Sequence, residues 1–456
     1  MAQVSTYPTR DLAQVLGVDT SGNVGLASPS YSTGVIFAQE GDSRTADGGA
    51  NPGTWTRKSN RMVSYWIEAL TRGAVQFPST LNTAVGGSTS TAILARMPAS
   101  IAAAKAAGAS GFLLLGCATN DPGASITLAT SLANLTAIEG LVKGAGMVCV
   151  WIGELPRGDT SFTGAGLSTT AQREHLAQVA RWQQGRNIYK NVVTVSPWGD
   201  LADVATAAND ALGYARVGLM YDGLHPSPAG AYRIALRALP AFQALFGPAA
   251  GRWNNAPLTG ADLYSATNLF GLVTLNPNMG GTAGSLTTGV TGSAPDSWAV
   301  SNNCNGTFAV VSSLVTDTDG TRWWRHVCSG TTGTGNQYYR IRQDVNAGTR
   351  GVAIGTKYSA AAAWRTQAAH TGLLAVDVSC WGGASNGVEF SSAGVAGLAT
   401  EAGFTTDALD CAISSSPFAL PASSTALRTA IVLTFAPSTA ISLTFDVTAA
   451  GARPSS

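Results

Sequence analysis

Short apolar runs recur through the first half of the chain, each followed by a longer stretch with helical spacing. Val35-Ile36-Phe37-Ala38, Phe112-Leu113-Leu114-Leu115, Met147-Val148-Cys149-Val150-Trp151-Ile152 and Asn191-Val192-Val193-Thr194-Val195 read as buried strands. Between them, Ser59–Leu70, Ser100–Ala107, Ile126–Lys143 and Thr169–Gln184 read as helices, and Ala229–Leu236 opens another. This rhythm predicts an α/β fold, a doubly wound parallel sheet whose strand-to-helix turns share one edge. Past residue 262 the period shortens. Trp323-Trp324-Arg325-His326-Val327, Tyr338-Tyr339-Arg340-Ile341-Arg342 and Ala430–Phe435 alternate or run apolar, with turns such as Thr318-Asp319-Gly320 and Asn346-Ala347-Gly348 between strands. That pattern predicts an antiparallel β-sandwich. Gly247, Pro248, Pro257 and Gly260 interrupt the helical pattern and mark a linker. The expected organisation is an N-terminal segment over 1–32, an α/β domain over 33–250, a linker over 251–262 and a β-sandwich over 263–456. The N-terminal segment holds one short helical pattern, Asp11–Leu16, and reads either as an anchor or assembly peptide or as a floppy leader.

Candidate chemistry collects at the turns of the first half. Gly41-Asp42-Ser43 follows the first strand, which leaves Ser43 exposed beside a helix start whose free N–H groups favour negative charge. A nucleophile whose attack creates an oxyanion suits that place, although the same tripeptide is also an ordinary turn. Asp222 and His225 lie three residues apart in Tyr221-Asp222-Gly223-Leu224-His225-Pro226, and the chain has only four histidines. The carboxylate can fix one imidazole tautomer while the other ring nitrogen faces a serine; equally, Asp222 could cap the following helix and leave His225 solvated. Gly86-Gly87-Ser88 offers backbone N–H groups to a ligand, and Asn120 ends the strand that includes Leu113.

In this order, the four blocks resemble the SGNH (GDSL-type) hydrolase family. The resemblance implies a flavodoxin-like α/β sandwich over roughly residues 33–250. It further implies Ser43 as nucleophile, Asp222 and His225 as the rest of a triad, and Ser43 N–H, Gly87 and Asn120 as oxyanion donors, with no cofactor and no metal. One block departs from the family pattern: Gly116 and Asn120 are separated by three residues rather than one. The opening of the second half, from Asn276-Pro277-Asn278-Met279-Gly280-Gly281 to Trp298, is similar to jelly-roll modules of bacteriophage tail proteins. Together the two resemblances imply a serine esterase removing O-acetyl groups from bacterial surface polysaccharide as part of a virion tail. They also imply a homotrimer joined to a tail or baseplate protein through the N-terminal segment. The alternatives are a lipase or general carboxylesterase, and a non-catalytic glycan-binding tail component.

Composition narrows this further. Charged residues make up 12% and the formal net charge is +1. No basic block favours nucleic acid, and no uninterrupted apolar stretch of about 18 residues favours a membrane. Met1–Arg10 lacks the charged start and apolar run of a secretory signal. The six cysteines include no C-x-x-C pair, which argues against structural zinc and thioredoxin-like chemistry. Cys117 and Cys149 read as small buried hydrophobes, while Cys304, Cys328, Cys380 and Cys411 could form two disulfides or remain thiols. His175, mid-helix among polar neighbours, is expected at the surface; Asp200 and Asp203 read as caps. Gly383-Ala384-Ser385-Asn386-Gly387 matches G-x-S-x-G, but without a strand–turn–helix context it reads as a turn. Trp298, Trp323, Trp324, Tyr338, Tyr339, Trp364 and Trp381 suit either sandwich packing or stacking on sugar rings. The adjacent pairs must point to opposite faces, which would leave one ring of each pair exposed.

Overall fold

A computed structural model describes residues 35–46, 56–57, 61–71, 73–157, 170–203, 214–215, 218–246, 276, 279–318, 320–349, 351–382, 391–392, 404–415 and 418–454. The N-terminal segment, the linker and the Gly383–Gly387 turn lie outside these residues. In chain order the first unit comprises β1 (Val35–Gly41), α1 (Ser43–Ala46), β2 (Thr56–Arg57), α2 (Val63–Leu70), β3 (Val75–Gln76), α3 (Ser90–Ala106), β4 (Gly111–Leu115) and α4 (Leu128–Gly144). It continues with β5 (Val148–Ile152), α5 (Thr170–Gly185), β6 (Val192–Val195), α6 (Trp198–Leu201), β7 (Ala202–Asp203), β8 (Tyr214–Ala215) and α7 (Pro228–Phe246).

The central sheet runs β3-β1-β4-β5-β6, all parallel, which is the flavodoxin-like order expected. Side chains alternate between its two layers. Phe37, Leu113, Leu115, Val150 and Ile152 pack on the α2 and α7 side, whereas Ala38, Phe112, Leu114, Cys149 and Trp151 pack toward α3 and α4. Cys117 and Cys149 are fully buried, as expected of small hydrophobes. Helix α3 begins ten residues before the expected start because Thr89 caps it, accepting from Ala92 N, and it accommodates Pro98 by forgoing one hydrogen bond. Helix α2 starts later than expected, at Val63, with no side-chain cap.

Two seven-stranded sheets, largely antiparallel, form the second unit, as the shortened period predicted. One contains Val290–Gly292, Ala309–Thr316, Arg322–Thr331, Ala440–Pro454, Lys357–Thr366, Leu409–Ser414 and Phe418–Ala419. The other places Leu373–Gly382, Ala426–Phe435, Gln337–Asn346 and Ala294–Asn302 side by side, and β2 of the first unit extends its edge by pairing with Ser391–Ser392. Helix α2 fastens the units together. Tyr65 Oη donates to Val376 O at 3.0 Å, and Trp66 packs on Tyr232 of α7 and on Phe404 of the second unit. The core layer beneath α2 is therefore continuous with the sandwich core.

Of the two readings of the aromatic residues, sandwich packing is the one that holds among the described residues. Trp298, Trp323, Trp324, Tyr339, Trp364 and Trp381 are all buried, and only Tyr338 is half-buried. The pair Trp323-Trp324 does point to opposite faces, yet neither ring is exposed. Trp324 donates to Ser312 Oγ and packs in the core; Trp323 is covered by the Arg365 guanidinium, 4.2 Å from its ring centroid, and donates to Asp317. An outward ring here is shielded by arginine instead of being offered to a sugar. All six cysteines are free thiols, five of them buried.

Candidate active site

The C-terminal edge of the parallel sheet gathers the candidate residues. Ser43 opens the single-turn helix α1, directly after β1. Asp42 caps that turn: its carbonyl accepts from Thr45 and Ala46, and its Oδ1 accepts from Arg44 N at 2.9 Å. A helix this short has little macrodipole, so charge stabilisation beside Ser43 must come from individual N–H groups.

His225 is brought across from the loop before α7. Its Nε2 lies 2.8 Å from Ser43 Oγ, and its Nδ1 lies 2.6 Å from Asp222 Oδ2. The carboxylate can only accept, so Nδ1 carries the proton and Nε2 accepts from the Ser43 hydroxyl. Asp222 does not cap α7. Its Oδ1 accepts from Leu224 N and His225 N, closing its own tight turn, while Ser227 caps the helix ahead of Pro228. Burial works to raise the Asp222 carboxyl, but the bonds from His225 and the two backbone N–H groups outweigh it and lower the group to about 2. The Tyr221 ring stacks on His225 and also carries the Arg61 guanidinium, 3.9 Å from its centroid.

The glycine loop and Asn120 complete the edge. A Cβ built on Gly86 would lie 3.8 Å from Ser43 Cβ, and Val85 N donates to Gly41 O, so this loop stands against the serine. Gly87 is exposed, with φ +75°. Asn120 Nδ2 donates to Asp42 Oδ2 at 3.1 Å and to Ser88 O at 3.0 Å, so both of its N–H groups are engaged in the resting site. Gly116 is fixed by packing: at φ +71° it faces the Asp42 carboxylate, and a Cβ there would lie 2.2 Å from Oδ1.

Beneath these groups runs a buried charge network that the motifs did not reveal. Arg44 and Glu154 have fully buried side chains and pair at 3.4 Å. Glu154 accepts from Ala118 N and from Thr119 Oγ1, two residues of the lengthened turn between Gly116 and Asn120. A second pair, Arg96 with Glu40 at 2.8 Å, ties β1 to the glycine loop through Ser88. Burial raises the Asp42 carboxyl to about 7, against the pull of Arg44, and raises Glu154 as well. Arg44 follows the serine directly in a chain poor in charge, and Glu154 follows β5 at the same sheet edge; those positions were the available signal.

His175, expected at the surface, is buried. Its Nε2 lies 2.9 Å from Ser131 Oγ, which donates to Asp121 Oδ2 at 2.5 Å. The polar neighbours that suggested exposure lie on the other faces of α5, while His175 turns toward α4. The relay stands behind Asn120, remote from Ser43 in the hydrogen-bond chain. Asp200 lies within α6 and Asp203 within β7.

No curated protein matches the chain in sequence. Among solved structures, an acetylxylan esterase from Geobacillus stearothermophilus, crystallised as a catalytic mutant, aligns at 16% identity over 47% of this chain and 95% of its own, with a TM-score of 0.34. A carbohydrate esterase of family 3 from Talaromyces cellulolyticus aligns at 15% identity over 47% and 99%, TM-score 0.33. A member of the lipolytic G-D-S-L family from Veillonella parvula aligns at 14% identity over 46% and 98%, TM-score 0.33. At these scores the likenesses carry no argument about the reaction. Residues 41–233 match the model of the GDSL-like Lipase/Acylhydrolase family, and with the parallel sheet they support placing this part of the chain among the GDSL/SGNH acylhydrolases.

Proposed function

We propose that the protein is a serine esterase that removes O-acetyl groups from a bacterial surface polysaccharide, acting as a homotrimeric component of a virion tail. One observation carries the chemistry: the continuous hydrogen-bonded chain Asp222–His225–Ser43, with links of 2.6 and 2.8 Å. In this reading His225 Nε2 takes the Ser43 proton as Oγ attacks the ester carbonyl, and Asp222 steadies the imidazolium. The tetrahedral oxyanion is held by Ser43 N–H, Gly87 N–H and Asn120 Nδ2, with Asn120 exchanging its bond to Ser88 O for one to the oxyanion. Collapse expels the sugar hydroxyl, which takes the proton from His225. Water, activated by the same imidazole, then releases acetate from the acyl-enzyme.

The substrate class has separate support. Val85, Gly86 and Gly87 beside the serine are all exposed, an arrangement suited to a large alcohol group approaching from solvent. The β-sandwich fastened to α2 fits action on a polymer, and its opening residues carry the tail-module resemblance on which the virion assignment rests.

The test is acetate release from an O-acetylated bacterial surface polysaccharide by native protein and by Ser43→Ala. Release that falls by at least about 10,000-fold in the variant is expected for loss of the nucleophile. Equal release from both would remove Ser43 from the mechanism. A native protein that cleaves a small acetyl ester but no polysaccharide would overturn the substrate assignment, and a preference for long acyl chains would make the enzyme a lipase. Sedimentation velocity should give a trimer; a monomer would overturn that part.

A further inference from the structure

The lengthened turn between Gly116 and Asn120 and the arginine that follows the nucleophile meet in one place. Arg44 reaches three turns of the sheet edge at once. Its Nε donates to Leu224 O at 2.9 Å, on the residue before His225. Its Nη1 donates to Thr119 Oγ1 at 3.2 Å, on the residue before Asn120, and lies 3.4 Å from Glu154 Oε2 and 3.5 Å from Leu155 O. Glu154 in turn accepts from Ala118 N at 2.9 Å and Thr119 Oγ1 at 2.7 Å. Arg157 adds a hydrogen bond to Thr119 O at 3.0 Å. Ala118 N and both oxygens of Thr119 thus lead to Glu154, Arg44 or Arg157, while Ala118 O accepts from Asp121 N within the turn.

We propose that the buried Arg44–Glu154 pair is a positioning device. It clamps the lengthened Asn120 turn and the His225 turn in register with Ser43, so that Asn120 still reaches the oxyanion despite the longer connection. The geometry requires an arginine. A planar guanidinium can hold Leu224 O through one edge and Thr119 with Glu154 through another; an ammonium at the end of a lysine stem cannot span them. Gly116 fixes the start of the turn against Asp42, and Asp42 Oδ2 meets Asn120 at its end, so the clamp needs to hold only the two residues before Asn120. Arg44 and Glu154 touch neither substrate nor the Ser43 oxygen; they act through Asn120 and His225. The expected consequence is selective. Displacing a reacting or stabilising group by about 1 Å costs on the order of 100-fold in rate, whereas ground-state binding of a small ester is scarcely touched.

This inference rests on the serine-esterase reading, and its test separates the two. Native protein, Arg44→Met, Arg44→Lys, Glu154→Gln, Thr119→Val and Ser43→Ala are compared with p-nitrophenyl acetate, by thermal melting and by proton NMR of the far-downfield His225 Nδ1–H signal. For Arg44→Met, kcat is expected to fall about 100-fold with KM within about threefold. Arg44→Lys is expected to recover less than tenfold of that, and Glu154→Gln with Arg44→Met should be no slower than Arg44→Met alone. The NMR signal should shift or broaden in Arg44→Met, because Leu224 O loses its donor. A folded Arg44→Met whose kcat and NMR signal both match native would overturn the proposal. Should Arg44→Met fail to fold, Thr119→Val decides: it deletes only the hydroxyl linking Arg44 to Glu154, and an unchanged kcat there would overturn the clamp. If Ser43→Ala retains full turnover, the esterase reading fails. The NMR signal of Arg44→Met then still reads positioning: a shift supports the clamp, and an unmoved signal overturns it.

Discussion

Ion pairs serve the two halves of this molecule differently. At the sheet edge that carries Ser43, Arg44 and Glu154 are wholly buried, come from two different strand-to-helix turns, and reach a third turn and a fourth. In the sandwich, Arg325, Asp446 and Arg365 form a ladder across three neighbouring strands of a single sheet, and Asp317, just after Ala309–Thr316, pairs with Arg365; the arginines and Asp317 are partly in water. Strand pairing already fixes the register of that ladder, with Arg325 opposite Asp446 and Asp446 opposite Arg365. Among the described residues no backbone ladder connects the turns beside Ser43, so side chains do it. A buried ion pair is a costly way to gain stability, because desolvation offsets most of the attraction. In the clamp proposed above, its return is the specified geometry between otherwise independent loops.

The comparison breaks most visibly on removal of the carboxylates. Glu154→Ala leaves Arg44 charged in a dry site and should cost about 3–5 kcal/mol in urea unfolding. Turnover should fall with it in whatever fraction remains folded. Asp446→Ala also deletes a buried carboxylate that serves two arginines, but those arginines can turn to solvent. A loss of about 1 kcal/mol with unchanged kcat is expected. Equal destabilisation by the two variants would erase the distinction.

How much of this was legible follows the same division. Ser43, Gly87, Asn120, Asp222 and His225 stood out only together, because four blocks in that order resemble the SGNH pattern; each turn alone reads equally as an ordinary turn or cap. The parallel sheet was legible because its strands are continuous apolar runs buried on both faces, as in Phe112–Leu115. Arg44–Glu154 was hidden because the partners are far apart in sequence and only the sheet brings their turns together. His175 was misread for a related reason: polar neighbours in sequence lie around a helix, and the one residue facing Ser131 cannot be told from them without knowing what α5 packs on. In the sandwich, alternation placed Trp323 outside correctly, yet could not show that Arg365 lies over it.

Two carboxylates beside Ser43 give opposite pH signatures. Burial raises Asp42 from 3.8 to about 7. Between about pH 4 and pH 7 the folded chain keeps a proton there that the unfolded chain has released, so this group lowers stability as pH rises through that interval and adds no further change above it. Asp222 is lowered to about 2, so the unfolded chain binds its proton first. The stability it contributes is complete above about 4 and is lost as pH falls through about 2. Denaturant unfolding at about pH 4.5 and about pH 8 should show Asp42→Asn flattening the pH dependence relative to native. Asp222→Asn should leave that interval unchanged and alter only the acid limb. A native-like slope in Asp42→Asn would mean that Asp42 does not titrate there.

The smallest effect tests what outward arginines do when they are not holding loops together. Trp381 is nearly inaccessible, yet it clusters with Ala430, Val432 and Tyr338 apart from the main core. Arg340 lies 5.1 Å and Arg428 5.5 Å from its ring centroid, and Arg428 pairs bidentately with Asp344 across the sheet. If these arginines act as covers, Arg428→Ala loses a partly solvated pair and a cation–π contact worth together about 0.5–1 kcal/mol, a shift at the edge of detection. Its clearer mark is optical. The ring should become accessible to acrylamide, seen as extra quenching that disappears when Trp381→Phe is combined with Arg428→Ala. Quenching that does not change would mean that another part of the chain shields Trp381. Arg428 would then have no covering role at Trp381 beyond its ion pair with Asp344, which sharpens the contrast with Arg44.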